Sequence, residues 1–166
     1  MNDVIHGLRE CGLTLAYHTI VTLRDRLRRM INPTTLGVRT VVTRDGRILM
    51  VRHRSGSSPW SLPGGGVSRG EDLTAAALRE VREEGGCVVQ VEHLLGMYSQ
   101  CDQGLNNYIA VFVCTATEDT RPPVGDLEIV DAHFFLPQDL PATAEAGSLR
   151  RIAEFRRGLV GLSTSW

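Results

Sequence analysis

Between Trp60 and Cys87 the chain places glycine clusters on both sides of a run rich in carboxylates. Gly64, Gly65, Gly66 and Gly70 come before it and Gly85-Gly86 after it, with glutamates at 71, 80, 83 and 84 and an arginine at 79. Residues 72–84 read as a helix. Asp72 is an N-cap residue type, Ala75-Ala76-Ala77 are strong helix formers, and Gly85-Gly86 stop it. At about 100° per residue, Leu73, Ala77 and Val81 make one buried stripe. Glu80, Glu83 and Glu84 fall on an arc about 100° wide beside that stripe. Glu84 lies almost in line with Leu73 and Ala77, where a plain amphipathic helix carries an apolar residue. By the same count Arg79 and Arg82 point to the other side.

Local stability disfavours this arrangement. Like charges at i,i+4 repel by a few tenths of a kcal/mol per pair, and the last turn of a helix is the wrong end for anions. A hard divalent cation reverses the sign, because Mg²⁺ takes oxygen ligands and is shared between carboxylates and substrate phosphates. The glycines let backbone carbonyls and amides come close to a metal or a phosphate, with Gly64 a substrate-contact candidate. The bland alternative is a solvated acidic face, which most charge runs are. The seam position of Glu84 and the flanking glycines argue against it.

The spacing resembles a known signature. Gly65, five residues, Glu71, seven residues, Arg79-Glu80-Val81, one residue, Glu83-Glu84, one residue, Gly86-Cys87 is similar to the Nudix box. Every polar and glycine position is filled, and Cys87 occupies the final hydrophobic position. The lead-in Trp60-Ser61-Leu62-Pro63-Gly64-Gly65 is also typical of that family.

The resemblance implies an α/β fold, a mixed β-sheet sandwiched between helices. It implies Mg²⁺-dependent hydrolysis, with Mn²⁺ as an alternative ion, of a nucleoside diphosphate linked to another moiety such as ADP-ribose or a nucleotide sugar. The metal falls to Glu83 and Glu84, with Glu80 as a third ligand or as the base and a backbone oxygen from the Gly65 region. Arg79 is expected to orient a glutamate through a bidentate pair, Glu71 being one candidate. Family members differ in their base, some drawing it from a later loop. Glu128 is the only glutamate between 119 and 144, so it is the candidate extra ligand or base, against the reading of an exposed strand-edge carboxylate. Asp126 and Asp131 are neighbours that can serve instead. The competing readings are a nucleoside triphosphate pyrophosphohydrolase and a nucleotide-sensing module with weak catalysis. Loss of catalysis would replace a glutamate at 80, 83 or 84, and all are in place.

Charge narrows the partners. The 166 residues carry a net charge of −1, so nothing pulls the chain globally toward nucleic acid or an anionic membrane. The partner expected is a small nucleotide. Cys11, Cys87, Cys101 and Cys114 make no Cys-x-x-Cys pair and read as free thiols of a reducing compartment. No secretory signal or membrane span is read, which leaves the cytoplasm.

The rest divides into residues 1–33, a helical extension, and 34–166, the catalytic domain. Residues 3–31 keep apolar steps of three or four through Ile5, Leu8, Ala16, Ile20, Leu23, Leu27 and Met30. They are expected to form an additional helix that packs on its own domain, pairs two copies or docks a partner, or lies on a membrane surface. Leu36 to Thr43 and Arg47 to His53 are strands around an Asp45-Gly46 turn. Arg52, His53 and Arg54 end the second strand near the glycine loop, where they either touch substrate phosphates or are solvated. Trp60 is read as packing under the loop. Val88 to Gln100 is a strand interrupted near Gly96, 101–107 a polar loop, and Tyr108 to Thr115 a strand buried on both faces. Glu128 to Leu136 is strand-like and Ser148 to Val160 helical. Strands with two interior helices give a mixed sheet between helical layers.

Overall fold

Asp45 and Gly46 take φ values of 49° and 73°, the left-handed pair that a two-residue hairpin requires. They join β1 (Thr34–Arg44) to β2 (Arg47–His53), paired at Thr43↔Ile48 and Arg44↔Arg47. Beyond those pairs the two strands part, and the lead-in to the acidic helix fills the gap. On one side β3 (Trp60–Ser61) pairs with β2 at Val51↔Ser61 and Arg52↔Trp60. On the other, Thr40 N donates to Pro63 O at 2.9 Å, Val38 N to Gly65 O at 2.9 Å and Val67 N to Leu36 O at 3.1 Å. The glycine loop is thereby held along β1. Gly64 has φ +147°, and a Cβ there would collide with the backbone of Val38.

The computed structural model describes residues 19–20, 22–23, 34–54, 60–102, 105–121 and 127–166. The sheet runs β3-β2-β1-β5-β4-β7, with β6 (Ile129–Phe135) on β2. β5 (Leu105–Ala116) lies parallel to β1 and antiparallel to β4 (Val89–Asp102), and β7 (Leu162–Ser165) lies parallel to β4. The acidic helix, α1 (Leu73–Glu80), covers one face and α2 (Ala146–Arg156) the other. Successive strand residues point to opposite faces. Val42, Leu49, Ala110 and Cys114 therefore join Ala76, Ala77 and Val81 of the acidic helix in one core. Val41, Met50, Val111 and Val113 join Ile152 of α2 in the other. This is the sandwich expected from the sequence, and it explains why Tyr108 to Thr115 is apolar throughout.

Several boundaries differ from the sequence reading. β4 continues through Gly96 as a bulged strand, with register shifts between Val91 and His93 and between Leu94 and Gly96. The expected loop 101–107 shrinks, because Asp102 pairs with Leu105. α2 ends at Arg156, two residues before the left-handed Gly158, φ 68°. β3 and β7 are too short to show as sequence patterns. Of the expected 3–31 helix, Thr19, Ile20, Thr22 and Leu23 are helical, and the rest lies outside the described residues. Among the described residues no helix is long and apolar enough to cross a membrane.

Candidate active site

The acidic helix starts as its sequence predicts and ends differently. Asp72 Oδ1 accepts from Ala75 N at 2.8 Å, an N-cap. After Glu80 the helix widens into a π turn, Val81–Gly85, and Gly86 closes it with φ 60°. π turns of this kind recur at functional sites. Glu80 and Glu84 both end up buried, 8% and 7% exposed, beside Val81.

Glu84 points under the glycine loop. Its Oε2 accepts from Gly64 N at 2.8 Å. Burial pushes its carboxyl up to about 8, opposed by Arg39 and the Gly64 amide and reinforced by Glu80 and Glu128. Arg39 Nη1 donates to Leu62 O at 3.0 Å and Gly64 O at 2.8 Å, so both backbone polar groups of Gly64 are engaged within the protein. The Gly65 carbonyl is likewise turned to Val38 N. The Gly65 Cα faces Glu80 instead: a Cβ would stand 2.7 Å from Glu80 Oε1. Burial also raises the Glu80 carboxyl, against the pull of Arg79.

Arg79 does not point away from the glutamates. Its long side chain folds back over the turn, and its guanidinium gathers the acidic groups. Nε and Nη2 hold Glu71 in a bidentate pair at 2.8 and 2.9 Å. Nη1 donates to Glu80 Oε1 at 2.7 Å and Glu83 Oε2 at 3.2 Å, and Nη2 to Gly66 O at 3.0 Å. The Arg79 pair, with Ser68 N adding to it, holds the Glu71 carboxyl down at about 2. Arg82 is exposed.

The pairing of β6 with β2 brings Glu128 across the sheet. Arg54 N donates to Glu128 O at 2.8 Å, and Glu128 Oε1 stands 3.7 Å from His53 Nδ1. One ligand atom from each of His53, Glu84 and Glu128 lies within 4.8 Å of the others. Arg52 lies apart from this cluster, and Arg54 adjoins it through its backbone bond to Glu128. Arg52 sits over Trp60 at 5.8 Å and pairs with Asp131 at 3.8 Å, and Arg54 Nε donates to Leu127 O at 3.0 Å. Trp60 packs edge-on against Phe135 at 5.1 Å, as a residue under the loop should. Asp126 lies outside the described residues.

The donor set fits a divalent cation. A buried carboxylate, Glu84, with Glu80, Glu128 and an imidazole nitrogen of His53 near it, gains stability from positive charge placed among them.

A NUDIX domain family model matches residues 33–155. The chain belongs to the Nudix family. It is 29% identical over 131 residues to an ADP-ribose pyrophosphatase of Methanocaldococcus jannaschii, covering 75% of this chain and 76% of that one. It is 37% identical over 75 residues to diphosphoinositol polyphosphate phosphohydrolase 3-alpha of Mus musculus, covering 45% of each. Among solved structures, a MutT NUDIX hydrolase from Burkholderia pseudomallei has 25% identity and a TM-score of 0.62, covering 73% of this chain and 97% of that one. A UDP-X diphosphatase has 24% identity and a TM-score of 0.65, covering 86% and 75%, and shows the shared fold. This Nudix protein is a hydrolase of the pyrophosphatase type.

The Nudix box of this chain tolerates Cys87 because that side chain is 2% exposed in the core under the acidic helix. A recess of about 660 Å³ opens beside Glu71, walled by Thr35, Leu36, Val67, Met97 and Tyr108. Sequence reasoning placed His53 as a phosphate contact or a solvated strand end. Its approach to Glu84 depends on strand register, for which the sequence offers no signal.

Proposed function

We propose that this Nudix hydrolase is a Mg²⁺-dependent pyrophosphohydrolase acting on a nucleoside diphosphate joined to another moiety, such as ADP-ribose or a nucleotide sugar. The products are two phosphorylated fragments. The observation that carries the reading is Glu84, a carboxylate buried under a glycine loop with Glu80 and Glu128 close enough to push its pKa further up. The ADP-ribose pyrophosphatase relative, aligned over most of both chains, supports the substrate class.

Glu83 and Glu84 hold the cation, with Glu128 as an extra ligand and Glu80 beside them. When bound, Mg²⁺ offsets phosphate charge and lowers the pKa of water. Arg79 fixes Glu80 through Oε1, which leaves Oε2 to take the proton of the attacking water. The recess beside Glu71 receives the part of the substrate away from the reacting phosphorus. Gly64 and Gly65 shape the loop over Glu84 and Glu80, and Arg54, next to Glu128, is the arginine placed to meet a substrate phosphate.

The test is a panel of nucleotide derivatives with Mg²⁺ or Mn²⁺ and identified products. ADP-ribose or a nucleotide sugar should give two phosphorylated products. Release of pyrophosphate from nucleoside triphosphates alone would favour the triphosphate reading. Folded protein without turnover on any of them would leave only a sensing module.

We further propose that residues 1–33 are an extension of the domain at 34–166 and pair two copies of the chain. Ile20 and Leu23 are helical yet 62% and 59% exposed. Light scattering should give a dimer for the full chain and a monomer for a version starting at Asn32. Monomers in both cases would overturn the pairing.

A further inference from the structure

Aromatic rings are scarce in this chain, with four Phe, three Tyr and two Trp. Among the described residues most are taken up by packing. Tyr98, Phe112 and Phe134 are buried, Trp60 packs on Phe135, and Phe155 packs on the core under α2. Trp166 donates its indole N–H to Glu145 Oε1 at 3.1 Å. Tyr108 differs from all of these, with 45% of its surface exposed.

The register of the sheet sets where that ring stands. Tyr108 pairs with Leu36 across the parallel β1–β5 ladder. Alternation puts both on the face of Val38 and Ala110, which the acidic helix covers. The cover does not extend over them, and Leu36 is 42% exposed. Val67 and Met97 pack against the same core, and these four residues bound the recess of about 660 Å³ beside Glu71. That volume is ordinary for a small-molecule pocket. The recess adjoins the acidic cluster, because Glu71 is joined to Glu80 through Arg79.

The recess carries no cation. Among the described residues that line it there is no Lys, Arg or His, and the one charged member is Glu71. Arg79, which reaches Glu71, donates all five of its N–H groups to Glu71, Glu80, Glu83 and Gly66 O. A phosphate there would meet a carboxylate and no uncommitted guanidinium, whereas phosphate sites are built from Arg and Lys. An uncharged planar ring would meet an aromatic face and aliphatic side chains, the surroundings in which bases stack.

We propose that the recess binds the nucleobase of the substrate, stacked on Tyr108 and flanked by Leu36, Val67 and Met97, and that it rejects a heavily phosphorylated ring. The inference rests on the nucleoside diphosphate reading and says which end of that substrate enters the recess. Tyr108 is the specificity-determining residue.

The experiment titrates the full chain, carrying labelled tyrosine and Mg²⁺, with AMP, UMP, ribose 5-phosphate and inositol hexakisphosphate. The Tyr108 ring signals are those missing from the NMR spectrum of Tyr108→Phe. AMP or UMP should shift them, and ribose 5-phosphate and inositol hexakisphosphate should leave them in place. Tyr108→Leu should weaken nucleotide binding about tenfold, and Tyr108→Phe, which keeps the stacking face, should bind as the wild type does. In turnover of ADP-ribose the same loss should appear in KM rather than kcat. If Tyr108→Leu fails to fold, the wild-type shifts decide alone. Shifts caused by ribose 5-phosphate but by neither nucleotide, shifts caused by no probe, or wild-type nucleotide affinity in Tyr108→Leu would each overturn the inference. Turnover of nucleoside diphosphate derivatives, measured separately, would still leave the substrate reading standing. Inositol hexakisphosphate seated on Tyr108, with no such turnover, would overturn both.

Discussion

Glu84→Gln should abolish turnover while leaving the metal-free protein at least as stable. The glutamine Oε1 keeps the hydrogen bond that Glu84 accepts from Gly64 N at 2.8 Å, in the same buried volume. What it loses is a charge. The unfolded carboxyl titrates near its ordinary 4.5, and burial pushes the folded one up to about 8. Between those values the folded chain holds the extra proton. The resulting stability is complete below about 4.5 and is lost as pH rises through about 8. Metal-free wild type should therefore melt at falling temperature across that window, and Glu84→Gln should lose this slope. Added Mg²⁺ should stabilise the wild type as RT ln(1 + [L]/Kd), since the unfolded chain does not gather the ligands. The variant should lose most of that gain. Its rate should fall on the order of 10³-fold, the equivalent of several kcal/mol of transition-state charge stabilisation. Melting curves against pH and Mg²⁺ for both proteins, beside their rates, make the check. A variant that keeps its Mg²⁺ response and its rate removes Glu84 from the metal site.

The parts of the fold legible in sequence are those set by local rules. Asp45-Gly46 fixes a hairpin because only a left-handed pair closes it. Asp72 fixes the helix start through one side-chain hydrogen bond. The apolar run around Val111 announces burial on both faces. What stayed hidden depends on the rest of the molecule. Nothing local tells β1 and β2 to part so that Pro63 and Gly65 can hydrogen-bond to β1. β7 is a strand only because β4 offers it an edge.

The site divides along the same line. Glu84 stood out because it occupies an apolar seam position, and it is buried there. Glu128 stood out as a lone glutamate after a loop, and it lies beside His53. His53 was not legible as a partner of either. Its position follows from a one-residue slip between β2 and β6, which joins segments more than seventy residues apart. The π turn was equally hidden, since Val81–Gly85 reads as ordinary helix. Arg79 failed the angular count for a different reason. Counting places the Cα, and a long side chain carries its charged end elsewhere.

That charged end should make Arg79→Lys nearly as damaging to catalysis as Arg79→Ala. One planar guanidinium holds Glu71 by two bonds, Glu80 by a third at 2.7 Å, Glu83 by a fourth and Gly66 O by a fifth. A lysine restores the positive charge but not the fork, so it cannot fix two carboxylates at once. Glu80 would then lean from the position it keeps against Gly65, and misplacement of about 1 Å at a reacting group costs roughly 10²-fold in rate. Both variants should fall by about that factor, with Arg79→Ala also losing stability because its partners are left with no cation. The acid limb separates charge from geometry. Glu71 is held at about 2 against an ordinary 4.5, so its pairing contributes stability above about 4.5 that is lost as pH falls through about 2. Arg79→Ala should flatten that limb, whereas Arg79→Lys should keep part of it while losing the rate. Melting temperature between pH 2 and 5, set beside kcat at neutral pH, reads both. A lysine variant with wild-type kcat would show that Arg79 supplies only charge and that the fork has no part in placing Glu80.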